Sequence, residues 1–247
     1  MILSDSERAI LEMRLLSVMK GGFDELVFRT WEWLKTPEAG EVFYEQSSRL
    51  ATFFNTSGIN DVWGEIIEAR ARSGMDATEY IYAYARKVNM EDHLIPYTDN
   101  EIRALNRLCD SNYELIRNVT VDEVTAIRRQ LVQDFASGVH PTQTSLKELQ
   151  LKPINGFTPE KRAEMIARTE TARTLNISTL ETFRNDGVQM VTLYGCDTTC
   201  DVCSEYFTPT PVEEALEVGV PHPNCHGAWV SAENAPEAPG YGEPWEI

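Results

Sequence analysis

The chain has 247 residues, 42% of them hydrophobic, and a formal net charge of −17 at pH 7. That length holds one large domain or two small ones, and its apolar runs fall far short of the ~20 residues that span a bilayer. Five cysteines, three of them in metal-type spacing, point to a reducing-compartment metal protein rather than a disulfide framework.

The start Met1-Ile-Leu-Ser-Asp has no basic segment followed by an apolar core, so a secretory leader is not expected. Ser4-x-x-Glu7 forms a capping box ahead of the apolar series Ile10, Leu11, Leu15 and Val18. Gly21-Gly22 is expected to end that helix, with a second from about Asp24 to Lys35. Thr36-Pro37-Glu38 is a further start signal, with proline at the first helical position and a pattern that continues to Phe54. Later starts are predicted at Asp76, Thr98-x-x-Glu101 and Thr120-x-x-Glu123, the last helix ending near Ser137-Gly138. The aromatic residues Trp31, Trp33, Phe43, Tyr44, Phe53, Phe54 and Trp63 read as the core of this half, or as a partner-binding groove.

Residues 139–157, punctuated by Pro141, Pro153 and Gly156, read as an extended connection with a short helical piece. Thr158-Pro159-Glu160 opens a long helix to Asn185, closed by Asp186-Gly187. Val188–Tyr194 is of β type, and Ala228-Trp229-Val230 suits a strand pairing with Val188–Leu193. A helical turn or two is expected around Val212–Leu216. Residues 231–247, with three Pro, two Gly and four Glu, read as a disordered or draped tail. The predicted class is mainly α, a helical N-terminal body followed by a small α+β module clamped by zinc. The boundaries are 1–119 for the helical region, 120–230 for the domain carrying the module, and 231–247 for the tail.

The clamp rests on two short hooks. Cys200-Asp201-Val202-Cys203 is followed, after eighteen residues, by His222-Pro223-Asn224-Cys225. Each hook offers two soft ligands two residues apart, the spacing with which a tight turn aims two side chains at one ion. Cys200, Cys203, His222 and Cys225 together make a closed tetrahedral Cys3His set for structural Zn²⁺, with no position left for a reacting water. Cys196 and His226 lie close enough in sequence to substitute for a member. Cys196 reads as a free thiol near the site, His226 as a supporting or solvent-facing group, and Cys109 as a buried helix residue. No Lys or Arg follows Arg184, while residues 185–247 hold eleven Asp and Glu. Gripping phosphates needs cations, so direct nucleic-acid binding by this region is not expected.

A second motif lies on the long helix, Ala167-Arg168-Thr169-Glu170-Thr171-Ala172-Arg173-Thr174-Leu175-Asn176. At 3.6 residues per turn Ile166, Thr169, Arg173, Asn176, Leu180 and Phe183 fall near one face. Polar groups inside such a stripe need partners when buried. The motif (Arg168, Thr169, Glu170, Arg173, Asn176) therefore predicts a buried polar network fixing this helix to its neighbours, against a solvated helix with Glu170–Arg173 pairing. No HExxH, GxSxG or GxxxxGK[ST] occurs, and no catalytic or organic-cofactor residues are expected.

Ala167–Asn176, the β-type stretch, Cys200-x-x-Cys203 and Pro221-His222-Pro223-Asn224-Cys225 stand in the order and approximate spacing of the Mu F-like phage head morphogenesis domain. The chain resembles that family over about Val121 to Val230. The family usually ends the motif Asn-Cys-Arg-Cys, whereas His226-Gly227-Ala228 follow Cys225 here. The resemblance implies a low-copy minor head protein of a tailed bacteriophage, in the virion near the portal and in the host cytoplasm during assembly. It would act in head assembly or genome delivery through contacts with portal, major capsid or scaffold proteins, with self-association left open, and not as an enzyme. Mu F-like modules also precede toxin domains, so a toxin-like enzyme (ADP-ribosyl transfer or nuclease) is the alternative. A zinc-dependent nucleic-acid binder using Arg128-Arg129 and Lys161-Arg162 is the third reading.

Overall fold

In the computed structural model, residues 3–39, 58–90, 96–140, 153, 154, 156–197 and 199–234 are described. The fold is mainly α with a small strand module near the C-terminus. Among the described residues four long helices come first: α1 (Asp5–Leu34), α2 (Ile59–Asn89), α3 (Asp99–Ala136) and α4 (Pro159–Asn185). Then follow β1 (Met190–Tyr194), a single helical turn α5 (Asp201–Ser204), β2 (Thr210–Pro211), α6 (Val212–Val218), β3 (Ala228–Ser231) and a 3₁₀ turn (Ala232–Asn234).

The chain forms two compact units that are each discontinuous in sequence. One comprises Met1–Leu15, Met75–Asn112 and Met165–Ile247; the other comprises Leu16–Gly74 and Tyr113–Glu164. Residues 119 and 120, where the sequence places a domain boundary, both lie inside α3.

Four helix starts hold as expected, one of them at Thr36-Pro37-Glu38, where residues 37–39 are helical and Thr36 Oγ1 accepts from Ala39 N–H at 3.4 Å. Ser4 and Glu7 exchange hydrogen bonds in a capping box, Ser4 N–H to Glu7 Oε2 at 2.9 Å and Glu7 N–H to Ser4 Oγ at 3.4 Å. Thr98 and Glu101 do the same at 2.7 and 3.3 Å. Thr158 caps α4 by accepting from Lys161 N–H at 3.3 Å. The ends near Gly138 and Gly187 are also found, each glycine with positive φ (77° and 79°) closing the last turn.

Three expected boundaries do not occur. Gly21-Gly22 lies within the continuous α1, and neither glycine has positive φ. Gly22 is a crossing point instead, since a Cβ there would overlap the Arg70 side chain. Asp76 is interior to α2, where buried Ile59, Trp63, Ile66, Ala71, Ala77, Ile81 and Ala85 carry one apolar stripe through the supposed start. The Thr120-x-x-Glu123 pattern is interior to α3. Thr120 Oγ1 donates back to the Ile116 carbonyl at 2.7 Å, and the Glu123 carboxylate receives Arg70. A pattern that satisfies N–H groups at a free end serves tertiary bonds when apolar neighbours extend the helix past it.

The second unit is built on Phe23, Leu26, Trp63, Ile127 and Leu131, with Trp33 also buried and Trp31 packed against them. Trp63 donates from its indole to Thr30 Oγ1 at 2.9 Å. The expected aromatics Phe43, Tyr44, Phe53 and Phe54 lie outside the described residues, as do residues 141–152 and the tail beyond Asn234.

In the first unit the strands form one antiparallel sheet in the order β2-β1-β3. The predicted pairing of β1 with β3 is present, with Leu193 opposite Trp229 and Tyr194 opposite Ala228. The alternation puts Val191, Leu193 and Trp229 into a core shared with Ala172 and Leu180 of α4 and Val212 and Ala215 of α6. The two-residue β2 was too short to be visible as a pattern. The sheet brings the end of β1 beside the start of β3, and the hooks flank those two points.

Candidate metal centre

The first hook is ordered by α5. Cys200 stands just before it with extended backbone (φ −78°, ψ 110°), and Cys203 lies within it. Ser204 N–H donates to the Cys200 carbonyl at 3.0 Å, closing the turn that carries both thiols. The second hook is a turn closed by Cys225 N–H to the His222 carbonyl at 3.2 Å. It depends on Asn224 in the left-handed region (φ 62°), a conformation asparagine tolerates better than branched residues. The Asn224 N–H is taken by Thr169 Oγ1 of α4 at 3.1 Å.

These turns bring the four expected donors together with a fifth. His222 Nε2 lies 3.3 Å from Cys200 Sγ and 3.1 Å from Cys203 Sγ. Cys203 Sγ lies 3.5 Å from Cys225 Sγ, and Cys225 Sγ lies 3.6 Å from Cys196 Sγ. The donors fall into two triads, Cys200–Cys203–His222 and Cys196–Cys203–Cys225, with Cys203 in both. Cys196, read from the sequence as a free thiol near the site, is buried within the cluster. The signal that could have found it is Gly227, whose missing side chain leaves the space that the Cys196 thiol fills.

The donor chemistry suits a cation. His222 Nδ1–H donates to the Pro223 carbonyl at 2.7 Å, so in the neutral ring the free lone pair is at Nε2, facing the thiols. Cys225 is held down to about 6 by the hydrogen bond from Cys196, with the Gly227 N–H adding to it against the effect of burial. Backbone N–H donation within α5 lowers Cys200. Burial and the neighbouring thiols push Cys203 up to about 12. Such a crowd of thiols has no stable way to shed all its protons without a positive charge at its centre. The cluster can hold a metal ion.

The α4 motif lies directly beneath. Thr169, Glu170 and Asn176 are buried, whereas Arg168 and Arg173 keep about a third of their side-chain surface in solvent. Asn176 Nδ2 donates to the Gly219 carbonyl at 3.1 Å and to the Gly227 carbonyl at 3.0 Å. Trp229 Nε1 reaches the same Gly219 carbonyl at 3.0 Å. One side chain thus ties the end of α6 to the start of β3, and Thr169 ties the second hook. Arg168 lies 3.9 Å from Glu12, and Arg8 donates to the His226 carbonyl at 2.6 Å, so α1 also braces the hook. Glu170 pairs with Arg173 at 3.3 Å but lacks a hydrogen bond at Oε2, and burial pushes its carboxyl up. The polar network and the Glu170–Arg173 pair therefore coexist.

An open groove of about 520 Å³ is lined by Arg107, Arg173, Glu181, Arg184, Glu213 and Glu217 among others. Arg184 is matched there by Glu181 and by Glu213 at 3.5 Å. In the other unit, Arg128 donates to Asn60 at 3.0 Å and Arg162 pairs with Asp122 at 2.9 Å, engaging two of the four cations in the candidate basic patch. Among the described residues no helix is long and apolar enough to cross a membrane. No protein-family model, curated protein or solved structure matches the chain.

Proposed function

We propose that the chain is a structural minor head protein of a tailed bacteriophage, whose C-terminal module is clamped by one Zn²⁺ held by Cys200, Cys203, His222 and Cys225. The observation that carries this reading is the approach of the two hooks to each other at the Cys203 sulfur, which both His222 and Cys225 reach, above a helix whose Thr169 and Asn176 bind the backbone of the module. The order of that helix, a strand, CxxC and Pro-His-Pro-Asn-Cys is the order that gives the chain its likeness to the Mu F-like family.

The metal has a physical task. The segment between the hooks, 204–221, forms only two residues of strand and α6. Its buried Val212, Ala215 and Val220 find apolar partners outside the segment, in α4 and the sheet. Apparent Zn²⁺ binding energies of ~10 kcal/mol or more in small zinc modules turn its ordering into a favourable step. The clamp would present a rigid anionic surface, without Lys or Arg after position 184, to other virion proteins near the portal. Such a surface attracts basic partners and is repelled by packaged DNA.

Mass spectrometry and elemental analysis of purified particles test this. Peptides of the chain at low copy, with zinc in proportion, are expected. Particles that contain none of it refute the assignment. DNA retention by the purified chain that falls steeply with added salt would favour nucleic-acid binding instead.

A further inference from the structure

The centre contains five donors, and a tetrahedral ion needs four. Cys196 enters from the end of β1, through a turn at Gly195 (φ 79°). Its thiol occupies the place where a Cβ on Gly227 would stand, and it lies 3.6 Å from Cys225 Sγ. The space left by residue 227 is thus filled by a sulfur from another strand. That sulfur forms a triad with Cys203 and Cys225, which shares Cys203 with the triad containing Cys200 and His222, so a four-ligand set draws on both.

The donors are not equally held. Cys200 and Cys203 are tied by one closed turn, and Cys225 receives the Gly227 N–H at 3.4 Å. The His222 ring is half-buried and is anchored through Nδ1 to the carbonyl of its own neighbour, Pro223. Among the described residues its one hydrogen bond besides those to the thiols is that local one, while Cys196 is buried with Cys203 and Cys225.

We propose that Cys196 is a reserve ligand, so that the centre holds its ion either as Cys200, Cys203, His222 and Cys225 or as Cys196, Cys200, Cys203 and Cys225. This rests on the reading that the centre binds Zn²⁺. In the exchange the metal–nitrogen bond to His222 breaks and a metal–sulfur bond to Cys196 forms. The Cys196 thiol proton passes to the freed Nε2, so charge and atoms are conserved and the ion's oxidation state is unchanged. The resulting imidazolium keeps its Nδ1–H bond to Pro223. The ion then stays bound when a partner surface draws His222 away.

The full-length chain is loaded with Zn²⁺ or Co²⁺, and bound metal is measured after gel filtration against a mild chelator. His222→Ala and Cys196→Ser are each expected to retain one equivalent, and the double variant to lose it. In the Co²⁺ form, His222→Ala is expected to raise the thiolate charge-transfer absorption by about one third, as four sulfurs replace three. Loss of the ion from His222→Ala alone, or an unchanged absorption in that variant, overturns the proposal even if the double variant fails to fold. Retention by the double variant overturns it equally. Wild-type chain that binds no ion removes the zinc reading itself and this inference with it, a result distinct from the other two.

Discussion

Asn176 offers the sharpest test of how the module is attached. Its side chain is 2% exposed, and its amide donates to two backbone carbonyls, Gly219 O at 3.1 Å and Gly227 O at 3.0 Å. Asn176→Asp keeps the shape but turns a donor into an acceptor facing two acceptors. Gly219 O would keep the Trp229 indole at 3.0 Å, so one carbonyl, that of Gly227, loses its side-chain donor. Leaving a buried acceptor unsatisfied costs about 1–3 kcal/mol, and the lost bond to Gly219 adds about 0.5–1.5 kcal/mol. A buried carboxyl without donors adds a further penalty, paid as a raised pKa. The expected loss is about 1.5–4.5 kcal/mol, with Asn176→Ala at the lower end. Hydrogen exchange is the assay, because it separates local from global opening. Residues 190–231 should lose protection while the Phe23–Trp63–Leu131 core keeps it. Equal protection of the module in Asn176→Asp and wild type would refute the docking argument.

Three further outcomes are expected. Cys203→Ala removes the sulfur common to both triads, so it should abolish metal binding and expose 199–231 to protease; full metal stoichiometry in this variant contradicts the ligand assignment. Arg70→Met leaves Glu123, 3% exposed at its side chain, buried without its cation, and should cost about 3–5 kcal/mol in urea unfolding, most of it recovered by adding Glu123→Leu. Burial raises the Glu170 carboxyl, with Arg173 opposing. Its contribution to folding is therefore fullest below the unfolded-state value near about 4.3 and is lost as pH rises through the folded value. Glu170→Gln should then be the more stable form at pH 8 and close to wild type at pH 4; a lower midpoint than wild type at pH 8 opposes this.

The helices were legible where local chemistry acts alone. Ser4-x-x-Glu7, Thr98-x-x-Glu101, Thr158-Pro159 and Gly187 mark ends because their bonds are made within four residues. Gly22 and Thr120 misled because what decides them comes from distant residues, the Arg70 side chain and the Arg70–Glu123 pair, and Asp76 because the apolar stripe of α2 runs on past it through Ala77 and Ile81. At the centre, Cys200, Cys203, His222 and Cys225 were visible from spacing, and Thr169 and Asn176 from polarity on an apolar face. Cys196 was not, because its membership depends on the β1–β3 register and on an absent side chain at position 227. The Arg8 bond to the His226 carbonyl spans 218 residues and leaves no local trace.

The bonds from Thr169 and Asn176 reach forward 55, 43 and 51 residues along the chain. During translation the helical receptor is complete before the last thiol has been added. A nascent chain paused between Cys203 and His222 shows a ready dock with bare hydroxyl and amide groups, and only one of its two hooks. Premature capture of an ion by Cys200 and Cys203 would then have no second pair to close it. A module closed by both hooks can lock only after Cys225 has been added, so its anionic face would stay loose until then.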